Sequence, residues 1–226
     1  MGIKATVDGT NYNDIDMITV GQKNIVLIET VSTSEKEAMY ERILTQNNNN
    51  LGDIVIDFEL PCISLTCRTV ENISFPNATV LSGNFDYLSA NNFLAPNAAE
   101  TLYFTPSTGQ KGNMFTMKNA NIKGVVDLSG LIFKVVQGNQ TFYGSTINTL
   151  KIGAMNTHND FLGKCTITNL VWNISSSIVI NNAIAGLKGA KSITNLYIPD
   201  EFKTTISDSN ISTIKNIYSI SDWSDK

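Results

Sequence analysis

Charged residues are scarce in this chain of 226 residues. Asp, Glu, Lys and Arg make up 16% of it, whereas about a quarter is usual in soluble domains. The formal net charge is −4, and the 16 Lys and Arg residues are spread along the sequence. A nucleic-acid-binding surface needs clustered positive charge to neutralise phosphates. The composition therefore argues against a nucleic-acid partner.

Long apolar runs are also missing. No stretch reaches the roughly 18 apolar residues that indicate a membrane-spanning helix, and the start, MGIKATVDGT, lacks the apolar core of a secretory signal peptide. We therefore expect a soluble protein that is made in the cytoplasm and has no membrane partner.

Side chains that ligate metals or act as nucleophiles are few. His158 is the single histidine, and it lies in a polar stretch where we expect it to be solvated. Cys62, Cys67 and Cys165 are an odd number at spacings that fit neither a common zinc site nor a disulfide framework. We interpret them as buried apolar thiols. No cofactor, metal or catalytic residue is predicted.

Two patterns imitate catalytic motifs. LGKCT at 162–166 ends like a phosphate-binding loop, but the upstream glycine is missing and Cys165 stands where Ser or Thr should be. Asp53 and Asp57 bracket a short apolar segment, with a spacing that places both carboxylates on one face of a strand, as in a glycosidase. Acids on the solvent face of a strand are the commoner case. We therefore predict that the protein is not an enzyme, with a carbohydrate-active enzyme as the least favoured alternative.

Asn, Thr, Ser and Ile are abundant, which is typical of short strands joined by polar turns. The phrase ITNLVW at 167–172 recurs as INTLKI at 147–152 and as ITNLYI at 193–198. Each copy ends in two apolar residues spaced two apart, as on the buried face of a strand, and each follows an apolar residue and a glycine. Every copy therefore predicts a turn followed by a short strand.

The apolar pair recurs upstream, with first members at 54, 73, 102, 126, 150, 170 and 196, separated by 19 to 29 residues. Leucine-rich repeats have a period of about 20 to 29 residues. Such a unit cannot bury its own apolar face, so neighbouring units must stack. The predicted repeat core is Ile73, Phe75, Leu102, Phe104, Val126, Leu128, Leu150, Ile152, Leu170, Trp172, Leu196 and Ile198.

The repeats are flanked by other patterns. Residues 1–31 predict a small β module, with a hairpin signal at Asp8-Gly9, that is either an assembly anchor or an ordinary cap. Residues 32–52 contain the one clear helix, over 32–46, and an Asn-rich linker. The repeats are assigned to 53–198. Residues 199–226 are predicted to be a C-terminal cap, with apolar contacts from Phe202, Ile206, Ile214, Ile217 and Trp223.

Several phrases resemble the BspA-like class of leucine-rich repeats, in which a Phe precedes a Gly-Cys turn, a strand and often a Pro. In FLGKCTITNLVW, Phe161, Gly163 and Cys165 come nearest to this pattern, with one residue inserted between Gly163 and Cys165. In TFYGSTINTLKI, Ser145 replaces the Cys. The closing LYIPDEF and ISDW are similar to the ending of that class. The resemblance covers about residues 53–223 and implies a mainly β, irregular leucine-rich-repeat solenoid.

Asn residues near the strand starts, such as Asn169 and Asn195, have two interpretations. They either bond the neighbouring backbone or occupy left-handed turns. Phe85, Tyr87 and Phe93 in GNFDYLSANNF form the candidate interaction surface, because the predicted repeat lengthens there to 29 residues. The alternative is that these rings belong to the core.

The whole layout resembles accessory tail or baseplate components of bacteriophages and phage-like particles. The resemblance implies a non-enzymatic structural and interaction protein in the tail region of the virion, present in many copies beside other virion proteins. Its repeats would contact proteins or a host surface receptor. A leucine-rich-repeat adhesin on a bacterial cell surface is the alternative.

Overall fold

The computed structural model describes residues 4–7, 10–12, 25–29, 52–56, 63–79, 81, 83–98, 115–131, 141–154, 160–175 and 180–224. Within these residues the protein is mainly β, with fifteen strands and two α-helices. The strands are β1 Lys4–Val7, β2 Thr10–Tyr12, β3 Ile25–Glu29, β4 Asp53–Ile56, β5 Ile63–Ser64, β6 Asn72–Ser74, β7 Gly83–Asn84, β8 Ser89–Ala90, β9 Asn92–Leu94, β10 Phe115–Thr116, β11 Asn121–Leu128, β12 Thr146–Ile152, β13 Thr166–Trp172, β14 Ser192–Ile198 and β15 Ile214–Ser219. The helices are α1 Ile180–Gly189 and α2 Asp200–Asp208, and a 3₁₀ turn spans Ile220–Asp222. Neither α-helix was predicted, so the prediction of a single helix is wrong.

Some predictions concern residues outside these ranges. They are the helix at 32–46, Asp57, Cys62, His158, Leu102 and Phe104.

Twelve of the described strands form one large sheet, in the order β15-β14-β13-β12-β11-β9-β6-β4-β3-β1-β2, with β8 also pairing β11. From β3 to β15 all neighbouring strands run parallel. β1 is antiparallel to β2, as the Asp8-Gly9 hairpin signal predicts, and is also antiparallel to β3. The predicted N-terminal β module is thus continuous with the large sheet.

Eight strands of the large sheet, which we call rungs, repeat the same side-chain arrangement: β4, β6, β9, β11, β12, β13, β14 and β15. One residue of each rung points into the core and pairs with its equivalents on the adjacent rungs. This apolar column consists of Ile54, Ile73, Phe93, Val126, Leu150, Leu170, Leu196 and Ile217. Ten of the twelve predicted core residues lie in the described ranges, and each is at most 1% exposed.

The third rung was predicted wrongly. Phe93 pairs with Ile73 on one side and with Val126 on the other, so β9 occupies the position that the sequence pattern assigned to Leu102. The physical reason lies two residues further on. The inward residue there is Ala95, which is fully buried but too small to count in a search for two large apolar residues. β9 is therefore a regular rung in which the second inward residue is a small Ala instead of a large apolar residue.

A second, smaller sheet of parallel strands, in the order β10-β7-β5, lies across the core from the first rungs. Aromatic rings fill the space between the sheets. Phe85, which follows β7, is 4.8 Å from the ring of Phe93 and 5.3 Å from that of Phe115. Phe75 lies 5.5 Å from Phe93. Edge-on and tilted ring contacts at these distances stabilise a packed core beyond the burial of area alone.

The turn before five of the rungs, β6, β9, β11, β12 and β13, is also repeated. Cys67 and Tyr87 adopt left-handed backbone angles, with φ of 59° in both, and their N–H groups donate to Asp86 and Lys118 carbonyls on the next turn. The same angle recurs at Asn119, Gly144 and Lys164. Gly144 suits this conformation because it has no Cβ, whereas Cys, Tyr and Lys adopt it at some energetic cost. Backbone hydrogen bonds between turns therefore continue the stacking outside the strands.

The predicted C-terminal cap contains another rung. After α2, whose Ile206 is fully buried, the chain forms β15 and pairs in parallel with β14. Phe202, Ile214 and Ile217 pack against the core and are partly buried. The 3₁₀ turn then carries Trp223 back onto Tyr197, with 5.0 Å between the ring centroids. Among the described strands, β15 forms one edge of the large sheet and β2 the other.

Candidate interaction surface

The aromatic surface predicted at Phe85, Tyr87 and Phe93 is largely core. Phe85 and Phe93 are 0% exposed, so they are unavailable to a partner, and only Tyr87 is exposed, at 57%. The reason is the regular rung at this point. Phe85 begins the turn and Phe93 lies in the apolar column, whereas Tyr87 occupies the left-handed turn position and points outwards.

A polar column lies directly beside the apolar one, one residue earlier in each rung. Its members are Asp53, Asn72, Asn92, Val125, Thr149, Asn169, Asn195 and Asn216. Asn195 donates from Nδ2 to Asn169 Oδ1 at 2.9 Å, and Asn216 donates in the same way to Asn195 at 2.9 Å. Asn169 and Asn195 thus bond to neighbouring side chains, an arrangement that neither sequence-based interpretation included.

The first described member of the polar column is an acidic residue, Asp53. Asn72 donates to Asp53 Oδ1 at 2.6 Å, and Asn92 donates to Asn72 Oδ1 at 2.7 Å. The column changes character at Val125, whose backbone N–H donates to Asn92 Oδ1 at 2.9 Å. Asp53 is therefore the first hydrogen-bond acceptor of a structural column.

Ser145 and Cys165 occupy equivalent buried positions in successive turns, as the resemblance of the two phrases implies. Ser145 Oγ donates to the Met117 carbonyl, and Cys165 Sγ donates to the equivalent Phe142 carbonyl. Burial raises the pKa of the Cys165 thiol to about 12, so it remains protonated and unreactive at neutral pH. Cys67, by contrast, is exposed, so the prediction that it is buried is wrong.

The solvent face of the large sheet carries a third column, one residue after the apolar one. Near its middle, Lys151 Nζ lies 3.4 Å from Asp127 Oδ2. Towards β15 the column becomes aromatic. Tyr197 and Tyr218 stack with 5.1 Å between ring centroids and 23° between ring planes. Tyr218 is one of two large apolar side chains that are exposed among the described residues.

The edge of the sheet at β15 carries an open groove of about 400 Å³. One wall comes from the end of α2 and the other from β15. The groove is lined by Ile206, Ser207, Asn210, Ile211, Ser212, Ile214, Lys215 and Ile217. We call the groove, Asn216 and Tyr218 together the C-terminal edge surface. It combines the edge of a strand beside which no further described strand lies, aliphatic side chains and an exposed ring.

The C-terminal edge surface was missed in the sequence because residues 199–226 were interpreted as a cap. The signal was present. IKNIY at 214–218 has the same spacing of Ile, Asn, aliphatic residue and Tyr as ITNLY at 193–197. Counting that phrase as a further repeat would have placed its Ile214 and Ile217 at the edge of the stack.

Other kinds of site find little support within the described ranges. No group of three or more His, Cys, Asp or Glu side chains there is arranged to hold a metal ion. None of the helices in the described part of the chain has the length and apolar composition needed to cross a bilayer. Comparison of the chain with protein-family models, with curated proteins and with solved structures finds no match.

Proposed function

We propose that the chain is an irregular leucine-rich-repeat solenoid of the BspA-like kind that serves as a non-enzymatic interaction protein. The repeated columns support the solenoid assignment, because the same residue roles return on eight rungs in one register. The equivalent hydrogen bonds of Ser145 and Cys165 support it further, since the two phrases that resemble the family pattern each bond to the preceding turn in the same way. Stacked repeats of this kind commonly present extended binding surfaces.

The observation that carries the interaction role is the C-terminal edge surface. A strand edge with an adjacent aliphatic groove and an exposed aromatic ring is a surface that other proteins can bind. The polar side chains of the rungs are engaged largely with one another along the polar column. This favours a structural and binding role over a catalytic one.

We assign this role to the tail, baseplate or fibre of a bacteriophage or phage-like particle, where the protein would contact other virion proteins or a host surface receptor. The layout that resembles tail accessory proteins supports this assignment. The N-terminal strands belong to the same sheet as the repeats, so an anchor there would lie at the opposite edge of the described sheet, at β2.

Mass spectrometry of particles purified from a lysate tests this assignment. We expect the protein to remain at a constant ratio to the major tail protein through successive density gradients, and antibodies to label the tail in electron micrographs. An abundant cytoplasmic host protein serves as the contamination control. Loss of the protein from particles, together with labelling of the walls of intact cells, would favour the adhesin alternative.

A further inference from the structure

We propose that β15 binds a strand of a partner protein, which runs parallel to it and places a side-chain amide next to Asn216. The inference rests on the proposed interaction role and specifies its partner. The bound segment would carry an aliphatic residue after the amide and then an aromatic residue, as in Asn-Leu-Tyr. It would extend the sheet by one rung supplied from another chain.

The first reason is the direction of the polar column. On the last rungs each Asn donates from Nδ2 to the Oδ1 of the preceding rung, as Asn216 does to Asn195 at 2.9 Å. Asn216 Oδ1 accepts no hydrogen bond from any described residue. It is partly buried, so an unused acceptor there favours a partner that brings an N–H donor. A carboxylate at the same place would be repelled.

The second reason is the stack of tyrosine rings. One face of Tyr218 covers Tyr197, whose ring Trp223 also contacts, with 5.0 Å between the centroids. The Tyr218 side chain remains 38% exposed. An aromatic residue on an added rung would cover the other face of Tyr218 in the same stacked geometry, which is a favourable ring arrangement.

The third reason is the groove beside β15. Ile214 and Ile217 pack against the core but stay partly exposed on the side away from β14, and Ile206 and Ile211 continue the apolar lining. An aliphatic side chain on an added rung would lie here, in the continuation of the apolar column. The backbone groups of β15 that face away from β14, where no described strand pairs with them, would bond to the added strand.

Parallel pairing follows from the columns. Equivalent residues meet on adjacent rungs only when the strands run in the same direction and in register, as β14 and β15 do. A second copy of the chain fits less well. Among the described strands its other edge is β2, which also runs parallel to β15, but the sequence Thr-Asn-Tyr of β2 lacks the order of Asn, aliphatic residue and Tyr that the last rungs share.

A labelled peptide with the sequence of residues 193–198, ITNLYI, flanked by lysines for solubility, tests the proposal. We expect saturable binding to the full chain by fluorescence anisotropy. The matched peptide with Asp in place of Asn should bind about tenfold more weakly, because it loses the N–H donor. The double variant Ser207→Arg and Ser212→Arg, two exposed positions on the groove, should weaken binding to a similar degree.

Asn148→Arg, at an exposed position on β12, is the matched control and should leave peptide binding unchanged. Equal binding of the Asn and Asp peptides, or no binding at all, would overturn the proposal. So would concentration-dependent self-association that the groove variant abolishes, since that result makes a second copy the occupant. Particle composition is measured separately, so failure of the peptide experiment leaves the virion assignment to its own test.

Discussion

The first and last rungs carry the same columns but differ in strand length and in the packing of the core. Over residues 52–98 the strands have two to four residues, and the core depends on three Phe rings and a second sheet. Over 141–219 the strands have six or seven residues and the column is aliphatic. Register is therefore set by the inward residue and its polar neighbour, and strand length can vary around them.

Turns show the same contrast. In the first rungs the carbonyls of Phe75 and Ala95 each accept a hydrogen bond from the N–H three residues later, at 3.4 and 3.2 Å. Each of these bonds closes a Pro-Asn turn. Pro favours the second position of such turns because its φ is already set. In the last rungs helices α1 and α2 make the corresponding connections. The short strands are thus compensated by rigid turns and aromatic packing.

Removing an aromatic ring from the first rungs should have the largest effect. Phe93→Ala deletes a fully buried ring that contacts Phe75, Phe85 and Phe115. We expect the free energy of unfolding to fall by about 3–5 kcal/mol in urea titrations. Tyr87→Ala, at an exposed position nearby, should change it by less than about 0.5 kcal/mol. Equal effects would contradict the assignment of Phe93 to the core.

The polar column can be broken in the last rungs. Asn195→Leu removes a donor to Asn169 and an acceptor for Asn216, which leaves two partly buried amide groups without this partner. The expected loss is about 1–3 kcal/mol. Asn148→Leu, at an exposed position, should leave stability within about 0.5 kcal/mol of the parent. An unchanged free energy of unfolding for Asn195→Leu would show that the polar column contributes nothing to stability.

The left-handed turns predict changes of opposite sign. Gly144→Ala adds a Cβ at φ 73° and directly against Asn119 Oδ1, so we expect a loss of about 1–3 kcal/mol. Cys67 is an exposed residue with a similar left-handed backbone angle in an earlier turn. Cys67→Gly removes its Cβ, which is strained at that angle, and should stabilise the protein by up to about 1 kcal/mol. Thermal unfolding of the two variants measures both effects. A lower melting temperature for Cys67→Gly would contradict this account of the turns.

The smallest effect at neutral pH is expected for Cys165→Ser, because Ser145 makes the equivalent hydrogen bond. The difference should appear at high pH. The unfolded thiol ionises from about pH 8.5, whereas the folded pKa is about 12. The Cys165 contribution is thus present below pH 8.5 and falls by up to about 1.4 kcal/mol per pH unit as the pH rises towards 12. If the free energies of unfolding of parent and variant changed in parallel between pH 7 and 10.5, that result would contradict this expectation.

The sequence predicts the buried residues well where the inward side chains are large. Leu150, Leu170 and Leu196 were assigned to the core from spacing alone, and they are fully buried. The same rule failed at β9, because Ala95 is small, and a pair of larger residues downstream was chosen instead. Partners of the Asn residues were also beyond prediction, since a bond between side chains about 20 residues apart depends on the register that the repeat must first establish.

The candidate surface was harder to predict than the core. An aromatic residue in a polar stretch is exposed or buried according to its place in the turn, as Tyr87 and Phe85 illustrate at positions two apart. The edge at β15 was missed for a related reason. A rung at the edge has the same sequence pattern as an internal rung, and only the absence of a further described strand beside β15 identifies it as the edge of this sheet.

Disulfide trapping tests the register most directly. In a chain with its native cysteines replaced by serine, Asn72→Cys and Asn92→Cys should form a disulfide readily under mild oxidation, because these residues are paired across β6 and β9. The competing register, with Leu102 in the apolar column, would place Thr101 beside residue 72. Rapid trapping of the 72–92 pair, with little of the pair Asn72→Cys and Thr101→Cys, is the predicted result. Preferential trapping of the 72–101 pair would contradict the rung arrangement.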